Sequence, residues 1–452
     1  MAVKALVEEV VDAINDDNEM KKTVNKANLK AALTLATTAL LGSVQVAAAP
    51  TSVEPTEDSW SFDSAFLYYS EANRVSAAEA VFNANKIYSD DSILNVKLTI
   101  DALTGASANG AVAQPKVQTF TRPSGKGDYD IKQGDTPLDD TFHDTRVQLN
   151  GQWTQALAQN YTGSAGGHIS KEYDYLSLGV NGNIAYDFNK KNSTVSFGLS
   201  HFQDTFTPEG GLPKPFASMT SAYHDDGDES SHDATRMGSD DDKTTTDIMV
   251  GFTQVINRNM VTQLNYSYSV VDGYLTDPFK ILSLLDSKGI AQNYLYENRP
   301  DKRTKQSVFA QTKYHFDETI LDVSYRYMWD DWEIDSHTVD TRFYIPLGNG
   351  SYLEPHLRFY QQAAAEFYQP FLMQGDALPE FASADYRIGE MTAYTVGLKY
   401  GMKLADGNDL SFRLEYYRQD PKSAGQKSPG VLANMEIYER IDAIIAQVSY
   451  SF

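Results

Sequence analysis

The chain has 452 residues, a net charge of −23, no cysteine and 12% aromatic residues. Its mean hydropathy of −0.43 excludes a bundle of membrane-spanning helices. Its acidity argues against nucleic acid as a partner, because nucleic-acid binding needs a basic surface. A chain of this length without cysteine fits an exported protein that folds without disulfides.

The N-terminal region carries the pattern of an export signal. The stretch from Met20 to Lys30 is basic, the following residues are small and apolar, and Val46-Ala47-Ala48 resembles a cleavage box. Residues 20–48 therefore predict a secretory signal peptide. We interpret the acidic residues 1–19 as a misannotated extension ahead of a true start at Met20. Residues 49–59 predict a polar linker, and residues 60–452 a β-barrel.

From Trp60 onward the chain divides into about sixteen segments in which apolar and polar side chains alternate. This period of two is typical of strands with two different faces. The segment 161–170 is the least certain, and we interpret 158–173 as a turn followed by a strand because the count is then even. The predicted strands are 60–69, 75–88, 92–103, 141–157, 161–170, 175–189, 193–206, 244–256, 260–274, 304–316, 320–332, 338–347, 352–364, 391–404, 410–419 and 441–452.

The predicted strands are joined alternately by short links and by links that are mostly long. The short links are 90–91, 159–160, 190–192, 257–259, 317–318, 348–350 and 406–408, and the long ones are 104–140, 207–243, 277–303, 367–390 and 420–440. This asymmetry is typical of periplasmic turns and extracellular loops. The sequence therefore predicts an all-β, transmembrane, antiparallel up-and-down β-barrel of about 16 strands. We expect a monomer in the outer membrane of a Gram-negative bacterium, in contact with lipid and lipopolysaccharide.

The final predicted strand, 441–452, ends on the aromatic Phe452, with Tyr450 two residues before it. Alone it fits the edge strand of a soluble β protein, but the alternation of the other segments favours a barrel. We expect it to pair with 60–69 and close the sheet. Tyr450 and Phe452 resemble the terminal signal that the barrel-assembly machinery recognises in bacterial outer-membrane proteins.

The polar faces of the predicted strands should line the lumen. In the first half we expect a small, uncharged lining: Gln148, Asn150, Gln152, Thr154, Ser177, Gly179, Asn181, Asn183, Gln263, Asn265 and Ser267. In the second half we expect a contiguous charged wall: Lys313, Asp322, Arg326, Asp340, Arg342, Glu354, His356, Arg358, Lys399, Arg413 and Glu415. Opposite charges on this wall fit two roles. They brace a wide barrel by pairing, or they order a translocating solute or an inserted partner.

Two acidic segments are candidate ion sites. One is the cluster Asp139, Asp140, His143, Asp144 and Arg146, which ends a loop long enough to form a constriction in the barrel mouth. Carboxylates with histidine suit a metal, but on a strand His143 points away from Asp140 and Asp144, so we favour a loop-to-barrel salt bridge. The other is the acidic loop 223–242, where a solvated loop is favoured over a Ca²⁺ site because the full calcium-loop spacing is missing.

An enzyme is the less favoured class of function. The eight histidines are scattered, and the sequence contains no Gly-x-Ser-x-Gly or His-Glu-x-x-His motif. We therefore expect no catalytic residue, no metal and no cofactor. The alternative is a surface hydrolase, protease or lipase-like, with its site at the extracellular mouth.

Several motifs resemble one family of bacterial outer-membrane proteins, the domain of unknown function 3570, over residues 60–452. They are LYYSEANRV at 67–75, DALTGASANG at 101–110, QTFTRPSG at 118–125, TPLDDTFHDTRV at 136–147 and SKEYDYLSLGVN at 170–181. Members of this family are typically encoded near a small lipoprotein, a thioredoxin-like protein and a periplasmic flavin transferase. The resemblance thus implies a role in an extracytosolic flavin or redox system, with a small lipoprotein or a periplasmic redox protein as partner.

Overall fold

The computed structural model describes residues 59–122, 127–219, 234–423 and 425–452. Sixteen strands in these ranges form one closed barrel in which sequential barrel strands are neighbours, so the predicted all-β barrel is confirmed. The barrel strands are β1 (Trp60–Glu71), β2 (Val75–Ile87), β3 (Ile93–Ala108), β6 (Leu138–Ala158), β7 (Tyr161–Lys171), β8 (Tyr175–Phe188), β9 (Ser193–Phe206), β12 (Asp241–Asn257), β13 (Met260–Gly273), β16 (Lys302–His315), β17 (Ile320–Asp330), β18 (Asp335–Gly348), β19 (Ser351–Gln362), β21 (Met391–Lys403), β22 (Asp409–Pro421) and β23 (Ile441–Ser451).

Seven short strands lie in the connections between barrel strands. They are β4 (Gln118–Thr121), β5 (Asp128–Ile131), β10 (Leu212–Pro213), β11 (Arg236–Gly238), β14 (Ile281–Leu285), β15 (Ala291–Tyr296) and β20 (Phe371–Met373). They form two two-stranded sheets, β4-β5 and β10-β11, and a three-stranded sheet in the order β15-β14-β20. The sequence predicted only loops in these connections.

The last strand closes the barrel on the first. β23 pairs antiparallel with β1 from Asp63 opposite Ser451 to Glu71 opposite Ala443. Beyond the paired residues, the backbone of Phe452 donates to Phe62 at 2.9 Å and accepts from it at 2.8 Å. The predicted closure is therefore confirmed. The uncertain segment is also a strand, because β7 pairs with β6 on one side and β8 on the other.

The outer face of the barrel is apolar because every second side chain points away from the lumen. Val180 is 63% exposed, Leu414 62% and Phe66 54%. In water such a continuous surface would be unfavourable. In a bilayer it is favourable, since a closed sheet leaves no unpaired backbone edge in the hydrocarbon.

Aromatic rings concentrate at the end of the barrel where Trp60 and Phe452 lie. Phe452 stacks on Phe62 at 5.4 Å, Phe62 stacks on Trp60 at 5.7 Å, and Tyr161 contacts Tyr186 at 4.8 Å between ring centroids. Aromatic rings are enriched at the membrane interfaces of such barrels. The rings therefore place this end of the barrel at a bilayer surface.

The connections differ in length between the two ends. At the end that carries Trp60 and Phe452, here called the short-turn end, the seven connections have two to five residues. At the opposite end five of the eight connections have 19 residues or more: 109–137, 207–240, 274–301, 363–390 and 422–440. We assign the short-turn end to the periplasm, as the predicted asymmetry requires.

The predictions for residues 1–19, 20–48 and 49–58 lie outside the described residues and stay predictions. In the described part of the chain, no helix has the length and apolar character needed to cross a membrane.

Candidate functional site

The predicted charged wall lies on the lumen face of six neighbouring strands, β16 to β22. One row of the register runs from Lys313 to Asp322 to Arg342 to His356, each residue opposite the next. The wall holds six basic side chains and four carboxylates, an excess of two positive charges before His356 is counted. Although the whole chain is strongly acidic, this face of the lumen is locally cationic.

Most of the wall is joined by ion pairs. Lys313 lies 3.4 Å from Asp322, Arg342 lies 3.5 Å from Asp340, and Arg413 lies 3.8 Å from Glu415. Between strands, Glu354 is the register partner of Lys399. The Lys313–Asp322 pair links β16 to β17 and the Glu354–Lys399 register pair links β19 to β21, whereas the Arg342–Asp340 and Arg413–Glu415 pairs each lie within one strand.

His356 is the centre of this network. Its Nδ1 lies 2.8 Å from Oε1 of Glu415 and its Nε2 lies 2.9 Å from Oδ2 of Asp340. An ionised carboxylate only accepts hydrogen bonds, so both ring nitrogens must carry protons to donate. His356 is therefore a buried cationic link between β18 and β22, and it has no free nitrogen to act as a base.

A glycine makes the link across β21. Gly397 is the register partner of both His356 and Glu415. A Cβ atom on Gly397 would lie 2.5 Å from Cγ of Glu415. The missing side chain therefore lets Glu415 lie across β21 and reach His356. Gly397 is not among the predicted wall residues, although its position on a strand between two charged strands indicates that a small residue is needed there.

Arg326 and Arg358 differ from the other wall cations. Both are exposed, whereas Lys313 is 1% and Lys399 7% exposed. Neither arginine forms an ion pair within the described ranges of the chain. The closest ring to the Arg326 guanidinium is Phe309, at 5.7 Å from its centroid.

The prediction of an uncharged lining in the first half of the chain is wrong for the first barrel strands. Arg146 of β6 forms a 2.7 Å ion pair with Asp101 of β3, and Glu79 of β2 is the register partner of Asp101. Lys97 lies on the same face of β3, four positions from Asp101. The charged lining therefore continues through the β23–β1 closure, which the sequence order of the strands conceals.

The uncharged residues named for the first half form a separate sector of the wall. Asn183 of β8 and Gln263 and Asn265 of β13 are buried. Around the barrel, β8 and β13 are separated by β9 and β12. One sector thus offers mostly amides and hydroxyls, together with Asp187 of β8 and Asp204 of β9, and the other offers mostly charges.

The five residues of the predicted loop-to-barrel cluster are dispersed along β6. Asp140 pairs with Arg122 of the 109–137 connection at 3.3 Å, which is a contact between a loop and the barrel. Arg146 pairs with another strand, as described above. Asp139 accepts a 2.6 Å hydrogen bond from the Thr141 hydroxyl, and the exposed His143 contacts the Thr141 carbonyl.

Asp144 instead joins two carboxylates of the turn between β7 and β8. Oxygens of Asp144, Glu172 and Asp174 lie within 4.8 Å of one another. Burial, reinforced by Asp144, raises the pKa of Glu172 to about 7, and the same two causes raise the pKa of Asp174. Three such carboxylates have the chemistry of a divalent-cation site. The acidic loop 223–242 lies mostly outside the described residues.

The long connections fold together into a cap at the mouth of the barrel. Its centre is the sheet of β14, β15 and β20, where Leu282, Leu285 and Phe371 are each 0% exposed. All five long connections contribute to three hydrophobic clusters around this sheet. Residues of 274–301 and 363–390 pack against side chains of the other three connections: Phe120 and Tyr129 from 109–137, Phe216 and Ala217 from 207–240, and Leu432 from 422–440. The cap therefore has a core of its own.

A buried ion network joins two connections of the cap. Arg299 lies 2.6 Å from Glu297 and 2.8 Å from Asp385, and Arg387 lies 2.6 Å from Asp385 and 2.5 Å from Asp277. Glu297 is 1% and Asp385 1% exposed. Burial raises the pKa of Glu297 to about 7. Burial also opposes ionisation of Asp385, but Arg387 and Arg299 hold its pKa well below the usual range.

The cap is seated on the lumen wall. Nε2 of Gln362, at the end of β19, donates to the carbonyls of Arg387 and Gly389 at 2.9 and 2.8 Å. Arg74, in the turn after β1, lies over the ring of Tyr386 at 5.3 Å and forms a 3.0 Å ion pair with Glu439. The sequence predicted at most a constriction from residues 104–140, but the mouth is covered by residues of five connections.

The comparisons with known proteins give one family and a set of distant structures. No curated protein matches the chain. A bacterial polysaccharide outer membrane secretin aligns over 88% of this chain and 99% of its own, with 9% identity and a TM-score of 0.42. OccK2 (OpdF) of Pseudomonas aeruginosa, solved with glucuronate, aligns over 87% and 97%, with 9% identity and a TM-score of 0.38. The ferric enterobactin receptor PfeA of the same organism aligns over 87% and 60%, with 10% identity and a TM-score of 0.42.

The family model described as "Protein of unknown function (DUF3570)" matches residues 30–452. The match covers nearly the whole chain and extends the resemblance seen in the motifs toward the N-terminus. The chain belongs to this family.

Proposed function

We propose that this protein is an outer-membrane conduit whose outer mouth is closed by the cap. The observation that carries the proposal is the position of the cap, which is hydrogen-bonded to Gln362 at the rim of a polar lumen. A polar, charged lining gives solutes a favourable path across the membrane. A folded cap above that path must open before solute passes, so the resting protein should conduct poorly.

Conductance in planar bilayers tests this proposal. The wild-type chain should show rare, brief openings. A variant in which residues 281–296 are replaced by a short Gly-Ser linker lacks the central β14–β15 hairpin and should conduct steadily. Retention of the folded barrel is checked by its heat-dependent mobility on a gel. A folded deletion variant that remains non-conducting would contradict the conduit.

A sheath around a partner is the second candidate, and the cap also favours it. With the outer mouth covered, a periplasmic or lipoprotein partner would enter from the short-turn end, where connections of two to five residues are too short to cover the lumen. The family resemblance suggests a flavin- or redox-linked partner. Affinity purification from detergent-solubilised outer membrane should then recover a second protein in stoichiometric amount. Recovery of the barrel alone would exclude the sheath.

A surface hydrolase remains the alternative from another class. His356 is the lumen histidine held between two carboxylates, and both of its nitrogens are engaged. It therefore supplies no general base for such a reaction.

A further inference from the structure

We propose that Arg326 and Arg358 form a binding station for an oxyanion, a carboxylate or a phosphate group, on the lumen wall below the cap. The inference rests on the proposed conduit and names the class of solute that it accepts. Arg326 lies on β17 and Arg358 on β19, and both share the lumen face of the wall with Asp340 of the intervening strand.

The first argument is the local balance of charge. Asp340 is the register partner of Arg358, yet its two oxygens are directed to other groups, Oδ1 to Arg342 and Oδ2 to His356. Arg326 forms no ion pair with a carboxylate in the described residues. The charged group that acts on it electrostatically is Arg358. The like charges of Arg326 and Arg358 thus act on each other, while the nearby Asp340 makes its ion pairs with Arg342 and His356; this arrangement is unfavourable until a further anion binds.

The second argument is the shape and exposure of the two groups. A guanidinium presents a planar fork of N–H donors that matches two oxygens of a carboxylate or phosphate. Both side chains are exposed, so a solute reaches them without displacing protein. Bracing accounts for paired cations such as Lys313, but it does not account for two exposed arginines that form no ion pair with the described residues.

The third argument is the link from this station to the cap. Tyr360 is two residues from Arg358, and its hydroxyl donates to Gln362, which in turn holds the cap carbonyls of Arg387 and Gly389. Tyr417 of β22 is near enough to both Arg358 and Tyr386 of the cap to interact with them electrostatically. An anion at the station therefore lies beside the residues that seat the cap.

Equilibrium binding tests the station without requiring conductance. The detergent-solubilised full chain is titrated with citrate and with inorganic phosphate by calorimetry, and the two probes separate carboxylate from phosphate preference. We expect at least one probe to bind, and R326Q/R358Q to weaken it by about a hundredfold, about tenfold for each charge-assisted contact. R326K/R358K should retain part of the affinity, because the charge remains while the fork is lost.

R418Q is the matched control, because Arg418 is an arginine of β22 paired with Asp420 on the outer side of the barrel. It should bind like the wild type. Equal binding by wild type and R326Q/R358Q, or binding of neither probe by the wild type, would overturn the station. If the protein does not conduct but binds citrate through these arginines, the proposed function is refuted and the anion-binding site is supported.

Discussion

Replacing Asp385 with asparagine should release the cap. Oδ2 of Asp385 lies 2.8 Å from Arg299 and 2.6 Å from Arg387, and Oδ1 accepts a 3.0 Å hydrogen bond from the backbone of Arg387. The residue is 1% exposed, so water cannot replace its charge. Asparagine keeps the shape, but it removes the negative charge and one acceptor oxygen. The two arginines are then left with only Glu297 and Asp277.

The loss follows from the number of contacts broken. Removing one member of a buried ion network costs about 3–5 kcal/mol when the remaining charges stay buried without a partner. Here Arg299 stays buried, whereas the side chain of Arg387 is 54% exposed. Since Glu297 and Asp277 still face the arginines, we expect a cost near the lower limit, about 3 kcal/mol. That cost shifts the equilibrium between closed and open caps by roughly a hundredfold.

Limited trypsin digestion measures this shift at Lys280, because the closed cap buries this residue. D385N should be cleaved in the cap about a hundredfold faster than the wild type, and it should conduct more in a bilayer. The control is D376N, which changes an exposed aspartate of the same connection. If D385N and D376N are cleaved at the same rate, the ion network does not hold the cap.

Three further changes test other parts of the molecule. F371A should destabilise the cap by about 3–5 kcal/mol, because Phe371 is 0% exposed in its core; thermal denaturation should show an early cap transition with the barrel intact, and a single unchanged transition would contradict this. E297Q should remove the pH dependence of cap stability. The pKa of Glu297 is raised to about 7 in the closed cap, so the closed cap favours the protonated acid. The wild-type cap should therefore lose stability as pH rises from about 4.5 to about 7. Trypsin resistance measured across that range should fall for the wild type and stay level for E297Q, whereas parallel curves would refute the assignment. Deleting Phe452 removes two backbone hydrogen bonds to Phe62 and a stacked ring, so we expect lower outer-membrane levels of folded protein on heat-modifiability gels; normal levels would argue against an assembly signal.

Much of the barrel was predictable from the sequence because the pattern that specifies each strand and turn lies within a few neighbouring residues. Alternation with period two places each side chain on one of two faces, and a turn of a few residues marks each reversal. The residues of β23 therefore indicated its lipid face, and its pairing with β1 followed from the strand count, since an up-and-down barrel closes its last strand on its first. The charged wall was predictable for the same reason, since neighbouring strands in the sequence are neighbours in an up-and-down barrel.

The cap was not predictable by the same logic. Ile281, Leu282 and Leu285 form an apolar run in a loop, but nothing local indicates that Phe371, about ninety residues later, packs beside them. Parallel pairing of β14 with β20 joins two different connections, and no turn or period encodes it. Burial of Glu297 and Asp385 likewise depends on that docking.

The sequence by itself determined the number of strands, the faces they present and the residues of the charged wall, because these follow from strand periodicity and order. Only the tertiary structure decided how the charges pair. His356 reaches Glu415 because Gly397 leaves space between them. Arg326 and Arg358 form no ion pair in the described part of the chain, because Asp340 is engaged by Arg342 and His356. Distances between side chains on non-adjacent strands, and contacts between long loops, exist only once the sheet has closed.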